Sequence, residues 1–181
     1  ALVANWDLSA WRFEERPGVL TLRSTRDLRI DRSLSDGFAG VDVFVLPETP
    51  GASWSFRLVA GADLGSADSL ATVGRRDDIA GGSVLIAPGD FLSTDPFSLS
   101  DFRMVRTGSG DIVVRASRDL VFGNQASVIY TAGVSGPGIR VPGEFGGLSD
   151  LAYPVDGGDV EVRVGRDVQG AISTQLFTDW L

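Results

Sequence analysis

The chain alternates short apolar-x-apolar runs with small or arginine residues, then an aspartate followed by another apolar position. The phrase "LVANWDL" at 2–8 returns as "LVAGADL" at 58–64, with five of seven letters kept. The longer pattern recurs as "LTLRSTRDLRI" (20–30), "FRLVAGADL" (56–64), "IVVRASRDLVF" (112–122) and "VEVRVGRDV" (160–168). "VLIAPGDF" (84–91) is a shortened copy and "VIYTAG" (128–133) half of one. The last apolar residue before each bend is Leu2, Leu22, Leu58, Ile86, Val114, Tyr130 and Val162. Their spacing is irregular, from 16 residues between Val114 and Tyr130 to 36 between Leu22 and Leu58.

Each copy predicts two short strands joined by a tight corner. A period of two in "LTL", "VEV" and "LRI" sends alternate side chains to one face. Small residues such as Gly61 and Gly165 let the backbone turn. The aspartate accepts backbone N–H bonds at the bend, so Asp7, Asp27, Asp63, Asp119 and Asp167 are expected as structural turn caps bonding within a few residues. One unit cannot bury its own apolar face, whereas stacked units can. The prediction is therefore an all-β chain forming a parallel solenoid of about seven to eight coils over residues 1–181, with loops inserted at the corners. The alternative is an antiparallel β-sandwich, which short alternating strands and Gly-rich turns also describe. "SADSLATV" (66–73) is the one candidate helix, and its weak Ser-led start also fits a turn.

Composition sharpens this picture. At 181 residues, 43% of them hydrophobic and 23 of them Gly, the chain suits one turn-dense domain with a sizeable core. No apolar run reaches the roughly 18–20 residues of a membrane helix, and the first residues lack the pattern of a signal peptide, so no membrane insertion is expected. A start without Met and an end on "FTDWL" predict a piece excised from something longer. The net charge of −8 argues against nucleic acid as a partner. All 16 positive charges are Arg, and Cys and His are absent. Disulfides, thiolate nucleophiles, Ser-His-Asp triads and His-bound metals are thereby excluded, and no cofactor is expected. Lack of Cys suits a long exported chain but does not by itself fix a compartment.

At "GDIVVRASRDLVFGNQASVIYTAG" (110–133) the sequence resembles the filamentous haemagglutinin family, the large exoproteins of bacterial two-partner secretion. The run from Trp6 to Phe38 and "DGGDVEVRVGRDV" (156–168) are similar to the same family. The resemblance spans most of the chain and rests on repeat-structural motifs. It implies a right-handed parallel β-helix, location secreted or at the bacterial cell surface, an outer-membrane secretion partner acting through the parent chain, and a role in adhesion. The family's amino-terminal secretion domain is missing from this sequence.

Candidate binding features have plainer readings beside them. Arg26-Asp27, Arg118-Asp119 and Arg166-Asp167 form either an arginine ladder for anionic glycans or corners in which Asp caps the bend and Arg covers its flank; the corner reading is preferred. At the matching place in "LVAGADL", Ala62 replaces the Arg. Asp77-Asp78, Asp150 and Asp156 with Asp159 are acidic, but Ca²⁺ needs six to eight oxygens and no known calcium loop is present. Trp6, Trp11, Trp54, Phe56 and Tyr130 are either a sugar-stacking platform or core and end caps. The Gly/Pro-rich stretch 134–157, expected as an inserted loop, carries Arg140, Glu144, Phe145 and Tyr153, the residues expected to contact a partner. The expected function is a non-enzymatic structural and adhesive rod that displays contact loops to a surface glycan or protein of a host or neighbouring cell. The alternative is a polysaccharide-lyase-like carbohydrate enzyme on the same scaffold, requiring converging acidic groups.

Overall fold

The computed structural model describes residues 1–38, 51–74, 81–89, 102–142 and 148–172, with 135–142 and 148–153 described by their backbone. The strands are β1 (Trp6–Asp7), β2 (Val19–Ser24), β3 (Leu28–Ile30), β4 (Leu34–Ser35), β5 (Ser55–Ala60), β6 (Val84–Ile86) and β7 (Arg103–Thr107). They continue as β8 (Ile112–Ala116), β9 (Leu120–Phe122), β10 (Ser127–Thr131), β11 (Val134–Pro142), β12 (Leu148–Val155), β13 (Val160–Val164) and β14 (Val168–Gln169). There is no helix among the described residues; 66–73 lies in a turn-rich loop pinned by the antiparallel bridge Ala62–Thr72.

Three four-stranded sheets carry the fold, and all their pairings are parallel. The first runs β2-β5-β8-β13, the second β3-β6-β9-β14 and the third β1-β4-β7-β10. The chain visits them in turn, so β2-β3-β4, β5-β6-β7 and β8-β9-β10 are three complete rungs. Leu2, bridged to Ile30, and β1 form a partial rung before them; β13 and β14 form another after them. This is an all-β parallel stack, compatible with a β-solenoid and unlike an antiparallel sandwich.

The rung number among the described residues differs from the seven or eight coils expected, for a geometric reason. One circuit uses three strands, and strands of all three sheets carry the same apolar-x-apolar pattern. Leu22, Leu58, Val114 and Val162 do occupy one column of the first sheet. Leu2 and Ile86 belong with Ile30 and Phe122 in the second sheet, and Tyr130 lies in the third. The two copies of the opening phrase are therefore not equivalent.

Inward positions stack like on like and build the core. Leu58, Val114, Phe56 and Ile112 from the first sheet, Ile30, Val84, Ile86 and Leu120 from the second, and Leu34 and Val105 from the third are all buried together. Each such side chain contributes about 1.5–3 kcal/mol by leaving water. The first corner, between first and second sheets, takes 25–27, 117–119 and 165–167 in three rungs, while in the remaining one β5 and β6 are separated by the longer connection 61–83. At the third corner, back to the first sheet, 108–111 is the shortest passage. There 132–159 is the longest connection that contains strands: the expected inserted loop is in fact a β11-β12 antiparallel hairpin with a bulge between Ser135 and Gly138.

Candidate functional site

The corners are built by a repeated exchange between rungs. Asp27, Ser83, Asp119 and Asp167 immediately precede the four strands of the second sheet and form one column. Asp27 Oδ1 accepts the N–H of Ser83 at 2.8 Å, Ser83 Oγ that of Asp119 at 3.4 Å, and Asp119 Oδ1 that of Asp167 at 3.2 Å. The other corners repeat the rule. Ser55 Oγ accepts from Asp111 N (3.1 Å) and Asp111 Oδ1 from Asp159 N (2.9 Å). Asn5 Oδ1 accepts from Ser33 N (2.9 Å) and Ser33 Oγ from Met104 N (3.1 Å). In these column bonds the side-chain acceptor lies on the earlier rung and the backbone donor on the next. Beside the columns the sense reverses, Ser117 Oγ accepting from Gly82 N at 2.8 Å and Asn124 Oδ1 from Gly89 N at 3.1 Å.

This corrects the expected local capping for Asp27 and Asp119, whose partners are 56 and 48 residues away. A parallel stack brings the next rung's orphan N–H closer to the carboxylate than its own turn does. Asp7 and Asp63 do bond locally, to Ser9 N at 2.9 Å and Gly65 N at 3.0 Å. The Asp167 carbonyl accepts the N–H of Leu120 at 3.0 Å, but its carboxylate accepts no hydrogen bond among the described residues, where its rung is the last. Asp63 is not the counterpart of Asp27, because it opens the inserted loop 61–83, and Ser83 takes that place. Gly61 enters this insertion with φ of +63°, and a Cβ at Gly82 would lie 2.2 Å from the carbonyl oxygen of Arg26. Close approach between rungs leaves no room there for a larger residue.

The arginines of the same corner are divided. Arg166 Nε donates to Asp119 Oδ1 at 3.1 Å and its Nη2 to Asp119 Oδ2, closing an ion pair across the rung step. Burial pushes the Asp119 carboxyl up, but the Arg166 bond, the Asp167 N–H and nearby Arg118 outweigh it, so its pKa lies below the ordinary value. Arg118 and Arg26 are exposed, with Gly82 in the rung between them. The row of free guanidiniums that an anion ladder needs is interrupted. Beyond this corner, Arg115 and Arg163 reach Glu161 at 2.9 and 2.8 Å, and its pKa is lowered, first by the Arg115 bond.

Two charged residues not singled out in the sequence are deeply engaged. Asp36, fully buried, accepts Arg12 Nη2 on both carboxylate oxygens at 3.0 Å and the N–H of Trp54 at 2.6 Å, tying the 8–18 connection to the next rung. Arg106, also fully buried, donates to Ser35 Oγ (2.9 Å) and Tyr130 Oη (3.1 Å) and lies 3.9 Å over the Phe38 ring. Nothing in the "RMVRT" pattern distinguishes Arg106 from a solvated arginine. The corner column, by contrast, had a visible signal: Ser, Asp or Asn directly before an apolar-x-apolar strand.

The aromatic candidates separate. Phe56 is wholly buried core and Tyr130 serves Arg106. Trp6, Trp11 and Trp54, with Leu8, Leu20, Asn5 and Asp7, surround a cleft of about 470 Å³ at the early end of the stack, where Trp54 Nε1 donates to the Trp11 carbonyl at 2.7 Å. Arg140 falls on β11, its backbone opposite Asp150, and Tyr153 on β12. Glu144 and Phe145 lie outside the described residues, as do Arg75, Arg76, Asp77 and Asp78. Among the described residues no three carboxylates converge as a metal site would require. No family model, curated protein or solved structure matches the chain.

Proposed function

We propose that this chain is a structural and adhesive segment of a secreted bacterial surface exoprotein of the filamentous haemagglutinin type, a stiff parallel β-helix that displays contact loops. Right-handed winding is part of this reading, since parallel crossovers within one sheet are right-handed in nearly all proteins. The observation that supports it is the separation of labour around each rung. The first corner repeats the same short bonded bend in three of its four passages, whereas the third corner accommodates anything from 108–111 to the 132–159 hairpin without breaking the parallel registers on either side. A scaffold with that property presents variable segments at its corners, and many weak contacts along a long chain sum to avidity.

The contact element in this reading is the β11-β12 hairpin, with Arg140, Glu144, Phe145 and Tyr153 as its recognition residues and a cell-surface glycan or protein as its target. The test compares the chain with a variant in which 132–159 is replaced by the "GSGD" of 108–111, both applied to arrayed glycans and to intact cells. Binding by the parent and its loss in the folded variant is the expected result. Equal binding by both removes the hairpin from the contact surface, and no binding by either removes the adhesive role of this segment.

A further inference from the structure

The two ends of the stack are complementary steps. At the late end, β13 has no neighbour beyond it among the described strands, and Val160 and Val162 are 44% and 38% exposed although their column-mates Ile112 and Val114 are fully buried. At the early end β2 likewise has no strand before it, leaving Leu20 and Leu22 half-buried. The bonding parity of the two edges agrees. Ser55 N donates to Gly18 O and Ala62 N to Ser24 O, so the intervening even positions of β2 face β5, and Val19, Thr21 and Arg23 turn their N–H and C=O outward. On β13, Ile112 N reaches Asp159 O and Gly165 N reaches Ala116 O, which leaves the groups of Val160, Val162 and Val164 outward. These are the positions that continue the β2–β5 pattern.

The other sheets complete the joint. β14 covers Leu120 and Val121 but stops short of Phe122, while Leu2 covers only Ile30, the residue in the column of Phe122. Between them the two ends fill one strand of the second sheet. In the third sheet, β1 lies at the outer edge of the early end and β10 at the outer edge of the late end. Asp159 and Asp167, each last in its corner column, hold carboxylates without an acceptor role among the described residues. They stand where the N–H groups of Val19 and Asp27 from another copy would arrive.

We propose that two copies of this chain join head to tail, β13 of one pairing in parallel with β2 of the next, Val160 over Leu20 and Val162 over Leu22. The joint repeats the internal rung contact, so further copies add in the same sense and the contact is heterologous. It follows from the rung geometry alone and does not depend on the adhesive reading.

The test is sedimentation velocity of the full chain from micromolar to millimolar concentration, alongside Thr21→Pro and Val162→Pro. Each proline removes an outward edge N–H and no internal bond; circular dichroism and melting verify folding, and Val162→Arg replaces the second variant if its strand does not form. The parent is expected to grow in mass with concentration and each variant to stay monomeric. An equal mixture of the two variants is expected to give a dimer and stop there, because it contains one intact head and one intact tail. A parent that remains monomeric throughout, a single variant that dimerises alone, or a mixture that does not pair overturns the proposal.

Discussion

The first and third corners of the same stack solve the same turning problem in opposite ways. At the first, Asp27, Ser83, Asp119 and Asp167 pass backbone bonds from rung to rung, and three of the four passages are the short bends 25–27, 117–119 and 165–167. At the third, passages differ widely in length, and one is a whole hairpin. The difference teaches that register is held by columns, inside the core and at the residues entering each strand, Asp111 and Asp159 at the third corner included, and that a passage is free to vary between those fixed points. Even the first corner obeys this: its one long insertion, 61–83, leaves and rejoins the column through Gly61 and Ser83.

Breaking a core column should cost most. Leu58→Ala, at a fully buried position, is expected to lose about 2–5 kcal/mol of unfolding free energy, measured by urea denaturation. Val162→Ala in the same column, at the exposed last rung, is expected to lose less than about 1 kcal/mol in monomer. Equal losses would show that the column does not set burial.

The corner bonds come next. Asp119→Ala removes both the acceptor for Asp167 N–H and the partner of Arg166, an expected loss of about 1–2 kcal/mol. Asp119→Asn, which keeps an acceptor oxygen, should recover part of it. The carboxyl titrates below its unfolded value, so its stabilising contribution is fully present above about pH 4. That contribution is lost as pH falls through the lower folded value. Melting temperature followed into acid should therefore fall less steeply in Asp119→Asn than in the parent; parallel curves would remove Asp119 from the acid response.

The smallest effect should come from the third corner. Replacing 132–159 with "GSGD" joins Thr131 to Val160 as 108–111 joins the registered Thr107 to Ile112. The replacement keeps an aspartate at the place of Asp159. Stability is expected to change by less than about 1 kcal/mol, read from the same urea curves. A larger loss would mean that the hairpin holds the rungs rather than riding on them.

How much of this was legible follows from the range of each interaction. The Leu22–Leu58–Val114–Val162 column could be read because its period of two is local to each strand. Which strand belongs to which sheet could not, since Leu2, Ile86 and Tyr130 carry the same pattern on other faces of the circuit. Asp119 was visible as a corner residue, but its partner was not, because the bond crosses 48 residues of chain. Ser83 was hidden behind the insertion that separates it from β5. Arg106 was illegible altogether: its burial depends on Phe38 and Tyr130, which reach it only after the rungs have stacked.

The corner columns have one more consequence, in the order of events during folding. Within the columns that precede the strands, each acceptor side chain sits on the rung made earlier in the chain and the N–H it receives lies on the rung made later. Beside those columns Ser53, Gly82 and Gly89 donate forward to Ser109, Ser117 and Asn124. A finished rung thus offers the chain arriving behind it both a preset row of column acceptors and, at Ser53, Gly82 and Gly89, N–H groups for the incoming side chains. Growth from the amino-terminal side meets a template at each step and fixes one rung at a time, with only nearest neighbours to satisfy. A chain delivered amino end first would wind itself up by that rule, each rung a nucleus for the next.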